Sequence, residues 1–171
     1  MKLTVLCALL LRCGALSTQT RRAALKVAAA GGAALLAGDA NALEACKAGS
    51  NNCFTRTWAA PAAGVAVGDL RAALDAYPQA GQNGVDLGGF SYAVDSLNDK
   101  GYAKLEFTSG LGNFARFFNG NKPFVDDFEV QVTGATVAVR SASRVGDSDL
   151  GVNGKRMDFI AANLKEKGWA I

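Results

Sequence analysis

A pair of alternating segments separated by a short glycine turn constrains the fold of this 171-residue chain more than any other feature. The segments run over residues 124–132 and 135–142, and Thr133-Gly134 lies between them. Apolar side chains at every second position indicate strands with one buried face, and a two-residue turn with glycine joins antiparallel strands. The segments therefore predict a β-hairpin whose buried face carries Phe128, Val130, Val132, Val137 and Val139.

A turn this short also determines which residues of the hairpin lie opposite each other. With Thr133-Gly134 as the turn, Phe128 lies opposite Val139 on the buried face. On the other face Asp127 lies opposite Arg140. This register pairs apolar residues with apolar residues and an acid with a base, as expected for stable cross-strand neighbours.

The same criteria predict one further strand and two helices. Tyr102–Thr108 alternates and is therefore a half-buried strand. Asp69–Tyr77 has apolar residues at helical spacing and is followed by a proline that ends the helix. A longer C-terminal helix precedes Gly168 and turns charged residues, Arg156 among them, toward water. Its apolar stripe is Met157, Ile160, Ala161 and Leu164.

The remaining segments have no comparable period. Residues 43–66 are rich in Ala, Gly, Pro and Asn and form an N-terminal extension in this interpretation. Residues 81–89 are a glycine-rich loop, and residues 111–118 are a helical turn. The predicted fold class is therefore α+β, an antiparallel sheet of about four strands packed against the C-terminal helix and a shorter helix.

The first 42 residues have the form of an export leader. Residues 1–17 join a basic start to a nine-residue apolar run, which predicts a signal peptide too short to span a bilayer. Residues 18–42 carry Arg21-Arg22, a weakly apolar stretch and a small-x-small cleavage site ending at Ala42, which predicts twin-arginine targeting. Tandem signals of this kind resemble those of plastid proteins bound for the thylakoid lumen. The alternative is one export signal and an alanine-rich pro-segment, with the protein secreted or in another exported compartment.

Removal of that leader changes the charge of the chain and leaves one globular domain, residues 43–171. The chain has 18 basic and 15 acidic residues, of which five bases and one acid lie in residues 1–42. The domain then has 13 bases and 14 acids, a net charge of −1. It contains no run of Lys or Arg and no long apolar segment, so we expect neither nucleic-acid binding nor a transmembrane span.

Two cysteines, Cys46 and Cys53, remain in the predicted domain and flank a loop rich in Gly, Ser and Asn. In an oxidising compartment such a loop allows a disulfide, worth about 2–3 kcal/mol in the chain-entropy model. Free thiols and a metal site are the alternatives. The chain has no histidine to complete a zinc site or to act in a Ser-His-Asp hydrolase. No metal and no cofactor are indicated.

Several stretches of this sequence resemble a known family. They are Phe124–Glu129, Val139–Gly146 and Ser148–Asn153, together with the Cys46…Asn52-Cys53 element. Over most of residues 46–167 they resemble the domain of unknown function numbered 1499, found in bacteria and photosynthetic eukaryotes. The resemblance implies the family's fold and no established activity, and in photosynthetic eukaryotes it implies association with the plastid. Gly154 departs from the larger basic or polar residue usual there, so we expect fraying of the first helical turn.

The polar residues of the hairpin and of the following loop form the candidate site. In one interpretation Arg140, Arg144 and Arg156 converge on an anion or small ligand near a helix N-terminus, which attracts anions. In the other interpretation the arginines neutralise nearby aspartates and only stabilise the fold. The candidate residues are Asp126, Asp127, Arg140, Ser141, Ser143, Arg144, Asp149, Asn153 and Arg156.

Three of these residues carry specific expectations. Asp126 points inward opposite Ser141 and needs a partner, for which Arg144 or a backbone N–H is available. Asp149 or Asn153 is the expected N-cap of the C-terminal helix. A calcium loop beginning at Asp147 is disfavoured because it lacks the ligands of an EF-hand.

Two classes of function are consistent with these features, and an enzyme is the least favoured third. The first is a lumenal accessory or assembly factor that contacts a photosynthetic membrane complex. The second is a small-ligand or anion-binding protein with a pocket between the sheet and the C-terminal helix. An enzyme would need a carboxylate with a displaced pKa in a cleft, which the sequence cannot show.

Overall fold

The computed structural model describes residues 43–80, 86–110, 116–117 and 119–171. The predicted signal peptide (1–17) and targeting segment (18–42) lie outside these residues, as do most positions of the helical turn expected at 111–118. Within the described residues, no helix has the length and hydropathy needed to cross a membrane.

In the part of the chain that the structure describes, five antiparallel strands form one sheet in the spatial order β1-β5-β4-β3-β2. The strands are β1 (Cys53–Ala59), β2 (Phe90–Ser96), β3 (Tyr102–Thr108), β4 (Val125–Thr133) and β5 (Thr136–Ser143). The helices among the described residues are α1 (Ala63–Asp75), α2 (Leu97–Lys100) and α3 (Val152–Lys165). The α+β class predicted from the sequence is confirmed, with five strands where about four were expected.

The core lies between one face of the sheet and the helices. The alternating residues of β3, β4 and β5 face it, and the apolar stripe predicted for α3 is fully buried there. Aromatic rings pack edge to face at its centre, with the centroids of Tyr77 and Phe107 5.1 Å apart. The core residues include Trp58, Leu70, Leu74, Leu105, Phe107, Phe128, Val130, Val139, Met157, Ile160 and Leu164.

The β4–β5 hairpin has the predicted faces but a different register. Its last pair is Thr133 with Thr136, so the turn is Gly134-Ala135. Gly134 has φ of 62° and stands first in the turn, the position at which a type II′ turn requires glycine. Phe128 therefore lies opposite Ser141, and the predicted pair of Phe128 with Val139 is wrong. The shift is two residues along one strand, so every side chain keeps its face.

Two edge strands and the start of α1 escaped the sequence pattern. Strand β1 lies in the segment interpreted as an extension, because of its residues only Trp58 is fully buried. Strand β2 has a register shift between Tyr92 and Val94, which interrupts its alternation. Helix α1 begins at Ala63, six residues before the predicted start, and Ala62 at its N-cap has no capping side chain to signal it.

The end of α3 follows the prediction. Gly168 has φ of 83°, and its N–H donates to the Lys165 carbonyl at 2.9 Å. The chain then folds back, so that Trp169 N–H donates to the Leu164 carbonyl at 3.3 Å and the indole is buried. These bonds satisfy carbonyls that the helix end would leave free. At the other end the helix continues through Gly154, and the expected fraying is absent.

Candidate functional site

The alternation of β5 sends the candidate residues to two opposite faces of the sheet. Ser141 faces the helices with the core residues, whereas Arg140 faces away from them. Arg156 lies with Ser141, and Arg144 contacts residues on the face of Arg140. The three arginines therefore do not converge, and the expected single cluster is replaced by two.

The first cluster, the Arg156 centre, lies buried between the sheet and α3. The Nε of Arg156 donates to Asp86 Oδ2 at 2.6 Å, and Nη2 donates to Asp126 Oδ2 at 2.7 Å. Nη1 donates to Ser141 Oγ at 2.8 Å and to Asn153 Oδ1 at 2.7 Å. All three guanidinium nitrogens thus have partners. The sequence suggested Arg144 or a backbone N–H as the partner of Asp126, but the structure shows that the partner is Arg156.

Two aromatic residues complete the Arg156 centre. The guanidinium carbon lies 4.3 Å from the centroid of Phe107, and the Tyr77 hydroxyl donates to Asp86 Oδ2 at 2.8 Å. Burial lowers the pKa of Arg156, but hydrogen bonds and charge from Asp86 and Asp126 outweigh it and raise that pKa above its usual value. The arginine therefore remains charged inside the core, and its position contradicts the expectation that it faces water.

Asp149 and Asn153 join the loop before α3 to the Arg156 centre. Asp149 accepts from the N–H of Gly151 at 2.9 Å and from that of Asn153 at 2.8 Å, so it caps the helix from two residues before the Gly151 N-cap. Asn153 lies in the first turn, is fully buried, and donates to Ser143 Oγ at 3.0 Å. Of the two expected caps, Asp149 is the one used.

The second cluster, the outer-face network, begins at Arg144. Its Nε contacts Asp127 at 3.1 and 3.2 Å, and Nη2 also bonds Glu106 on β3. Lys104 lies 3.3 Å from Asp127. Partial burial raises the pKa of Asp127. The hydrogen bond from Arg144 and the charge of Lys104 have the larger, opposite effect, so the pKa lies below its ordinary value. The predicted pair of Asp127 with Arg140 is replaced, because Asp127 lies opposite Ala142.

Arg140 occupies the same face and pairs with Glu129, which lies opposite it. Its Nη1 donates to Glu129 Oε2 at 2.7 Å, and Nη2 lies 3.3 Å from Glu44 Oε2. Glu129 in turn accepts from the Tyr102 hydroxyl at 2.9 Å. Burial and this bond raise the pKa of Tyr102 to about 12. The Nε of Arg140 has no hydrogen-bond partner among the described residues.

The Cys46–Cys53 disulfide forms as predicted, with the two Cα atoms 5.6 Å apart. Between its loop and the end of β5 lies a cleft of about 460 Å³, here called the disulfide-loop cleft. Its walls are residues 44–53 on one side and, on the other, Arg140, Ala142, Ser143, Arg144, Gly146 and Asp147.

A family comparison identifies the domain that carries both clusters. The family model described as a protein of unknown function, DUF1499, matches residues 42–164. The chain belongs to the DUF1499 family. No curated protein and no solved structure matches it. The match covers all five strands and nearly all of α3, so both clusters belong to the DUF1499 domain.

Sequence reasoning missed four acidic residues of this DUF1499 domain. One of them, Glu106 on β3, bonds Arg144 on the outer face. Asp86 lies in the glycine-rich loop, where no periodicity indicates its direction. Glu129 shares a strand face with Asp127 and lies opposite Arg140 once the turn moves to Gly134-Ala135, so the correct turn would have identified it. Glu44 precedes β1, and no local pattern links it to β5.

The chemistry available to the DUF1499 domain differs between its clusters. The Arg156 centre is buried and its donors are satisfied, so its geometry suits structural stabilisation. Among the described residues, no group of three or more acidic or Cys side chains could hold a metal ion. The core fills the space between sheet and α3, whereas the disulfide-loop cleft, on the opposite face, opens beside two arginines.

Proposed function

We propose that this DUF1499 protein is a lumenal accessory or assembly factor that contacts a photosynthetic membrane complex. The leader-like residues 1–42 support the compartment, because tandem export signals fit a route across two membrane systems. The Cys46–Cys53 disulfide supports an oxidising destination.

The observation that carries the proposal is the exposure of Leu150 on a fixed loop. Its side chain is 82% exposed, and its φ of 54° is a left-handed conformation that β-carbon contacts disfavour. Val145 of the same loop is 45% exposed. Two exposed apolar side chains on one loop offer a surface that another protein can cover.

Contacts on both sides of Leu150 hold that loop in place. The side chain of Asn52 donates to the Gly146 carbonyl, and Ser148 forms a bridge with Asn51. Asp149 bonds the first turn of α3. The loop therefore presents Leu150 in one position before any partner binds, which reduces the entropy lost on association.

Comigration in solubilised thylakoids tests the proposal. We expect the native protein to migrate with a pigment–protein complex and Leu150→Ser to lose most of that association, since it removes the exposed apolar contact. Val65→Ser, which changes a 42% exposed valine on α1, is the matched control and retains association. Migration of the native protein as a free monomer contradicts the proposal.

A further inference from the structure

The Nε–Nη2 edge of the Arg140 guanidinium lies beside the disulfide-loop cleft, and only one of its two nitrogens has a partner among the described residues. Arg140 is 8% exposed and lines the cleft. Its Nη1 is used by Glu129, but its Nε has no partner among the described residues. A buried donor left unpaired costs free energy, so protein structures rarely retain one without a partner that binds there.

The neighbouring nitrogen on that edge has only a weak internal partner. Glu44 Oε2 lies 3.3 Å from Nη2, and no hydrogen bond joins the two side chains. The Glu44 side chain is 79% exposed, whereas that of Arg140 is 10% exposed. Because water screens so exposed a carboxylate, the pair contributes little free energy, and an anion in solution can displace Glu44.

This edge of Arg140 has the geometry that oxyanions prefer. Nε and Nη2 of a guanidinium point the same way and donate two parallel hydrogen bonds to one carboxylate or phosphate group. Ser50, Asn52 and Ser143 also line the cleft. Their side chains already bond within the protein, since Ser50 donates to Asn52, Asn52 donates to the Gly146 carbonyl and Ser143 accepts from Asn153. The guanidinium edge therefore supplies the main contact for an anion. Its volume of about 460 Å³ accommodates a small anion.

Lys47 and Asp147 also line the cleft, at exposed positions, and the buried or partly buried charges around Arg140 are already engaged. Arg144 is held by Asp127 and Glu106, and Glu129 is held by Arg140 and Tyr102. Glu44 is thus the carboxylate that an incoming anion must replace on Arg140.

We infer that the Nε–Nη2 edge of Arg140 in the disulfide-loop cleft is a receptor for a small oxyanion, a carboxylate or a phosphate, and that Glu44 occupies it as an internal competitor. This site lies on the outer face of the sheet, away from α3. It does not depend on the proposed membrane partner, because the purified protein alone binds the anion.

Titration followed by NMR tests this inference on the purified protein. The probes are inorganic phosphate and acetate, each at constant ionic strength, and the signal is the Nε–H resonance of Arg140. We expect that resonance to shift to a plateau with at least one probe. A shift with only phosphate or only acetate assigns the site to that class of ligand. Absence of a saturable shift with both probes, in the native protein and in Glu44→Gln, overturns the inference.

Variants separate the receptor from general charge effects. Glu44→Gln removes the competitor at an exposed position, and we expect a dissociation constant about two- to fivefold lower, the range that an exposed ion pair is worth. Glu166→Gln removes the same charge from the exposed end of α3 and leaves binding unchanged. Equal gains in both variants overturn the inference.

A conservative change at Arg140 tests the fork geometry directly. Arg140→Lys keeps a charge for Glu129 but cannot offer two parallel donors. We expect the amide signals of Ser143 and Asn52 to stop responding to the anion while the rest of the spectrum keeps its native dispersion. Unchanged affinity in folded Arg140→Lys contradicts the receptor.

Discussion

Burial of Arg156 makes two aspartates depend on one cation. Asp86 and Asp126 both bond its guanidinium, and the arginine is fully buried. Removing one member of a buried ion-pair network leaves the remaining charges without compensation, which is more costly than the network's own net contribution.

We therefore predict that Arg156→Met lowers the free energy of unfolding by about 3–5 kcal/mol, as urea denaturation measures. Methionine keeps much of the apolar stem, so the loss reflects the uncompensated carboxylates. Arg56→Met is the control, because Arg56 pairs with the 67% exposed Asp158. We expect it to cost less than about 1 kcal/mol. Equal losses in the two variants would show that Arg156 does not compensate buried charge.

Tyr102 gives a prediction at alkaline pH. Its pKa is raised from an ordinary 10.0 to about 12 by burial and by its bond to Glu129. Since the folded protein holds this proton more tightly than the unfolded chain, the stabilisation is complete below pH 10.0 and is lost as the pH rises to about 12. Tyr102→Phe lacks that dependence.

Phenolate absorbance measures this effect as the difference between the native protein and Tyr102→Phe. The difference should titrate near pH 12. Urea unfolding at increasing alkaline pH should show the native protein losing stability relative to the variant. A difference curve centred at the ordinary pKa would mean that the Tyr102 hydroxyl is not held by Glu129.

At the residue scale, the sequence predicted that a buried polar side chain needs a hydrogen-bond partner, but not which residue is that partner. The need of Asp126 for a donor followed from its strand face, and the structure confirms it. Arg156 was placed toward water because it is charged, although its position falls on the same helical stripe as Asn153 and Ile160. The prediction gave more weight to the charge of the side chain than to its helical position. It was wrong because Asp86, which compensates that charge, comes from a distant loop and could not be identified from the sequence.

At the scale of elements, two glycines near the start of α3, Gly151 at the N-cap and Gly154 in the first turn, differ in backbone conformation. Gly154 lies inside the helix, and a Cβ added there would meet no heavy atom within 4 Å. Gly151 at the N-cap also has free space, but its φ is 79°. The space around the two residues is similar, so the backbone conformation decides what a methyl group does.

We predict that Gly154→Ala raises the free energy of unfolding by about 0.5–1 kcal/mol, because alanine restricts the unfolded chain and favours helix. Gly151→Ala should lower it by about 1–2 kcal/mol, because an L-residue is strained in the left-handed region. Urea denaturation of both variants gives the comparison. Destabilisation by Gly154→Ala would mean that the helix around this position needs glycine.

The hairpin shows how far local patterns determine an element. Alternation fixed both faces of β4 and β5, because a strand has one inward side. The turn was misplaced by one residue because glycine is accepted at either central position of a two-residue turn. That shift transferred the partner of Arg140 from Asp127 to Glu129. Faces are thus predictable from period, whereas pairing depends on turn chemistry.

At the scale of the whole molecule, the sequence did not predict which strand forms the edge of the sheet beside β5. Strand β1 pairs with β5, although the two strands are far apart in the sequence, and no local feature of Cys53–Ala59 indicates that partner. Its pairing also brings the disulfide loop over the outer face and creates the cleft beside Arg140. The candidate anion site therefore arises from topology.

The start of the domain yields the last prediction. The family match begins at residue 42, which is also the end of the predicted cleavage site. Glu44 and Cys46 follow it immediately and are held by Arg140 and Cys53. Cleavage after Ala42 would thus leave Glu44 and its contact with Arg140 in the mature protein.

We predict that the protein isolated from cells begins near Leu43 and carries the Cys46–Cys53 disulfide, as intact mass measures before and after reduction. Loss of residues 1–42 changes the formal charge from +3 to −1, so the isoelectric point should fall from about 8.7 to below 7. Isoelectric focusing against the full-length chain checks this independently. A native protein that still starts at Met1 would remove the basis for an exported compartment, which rests on cleavage of residues 1–42.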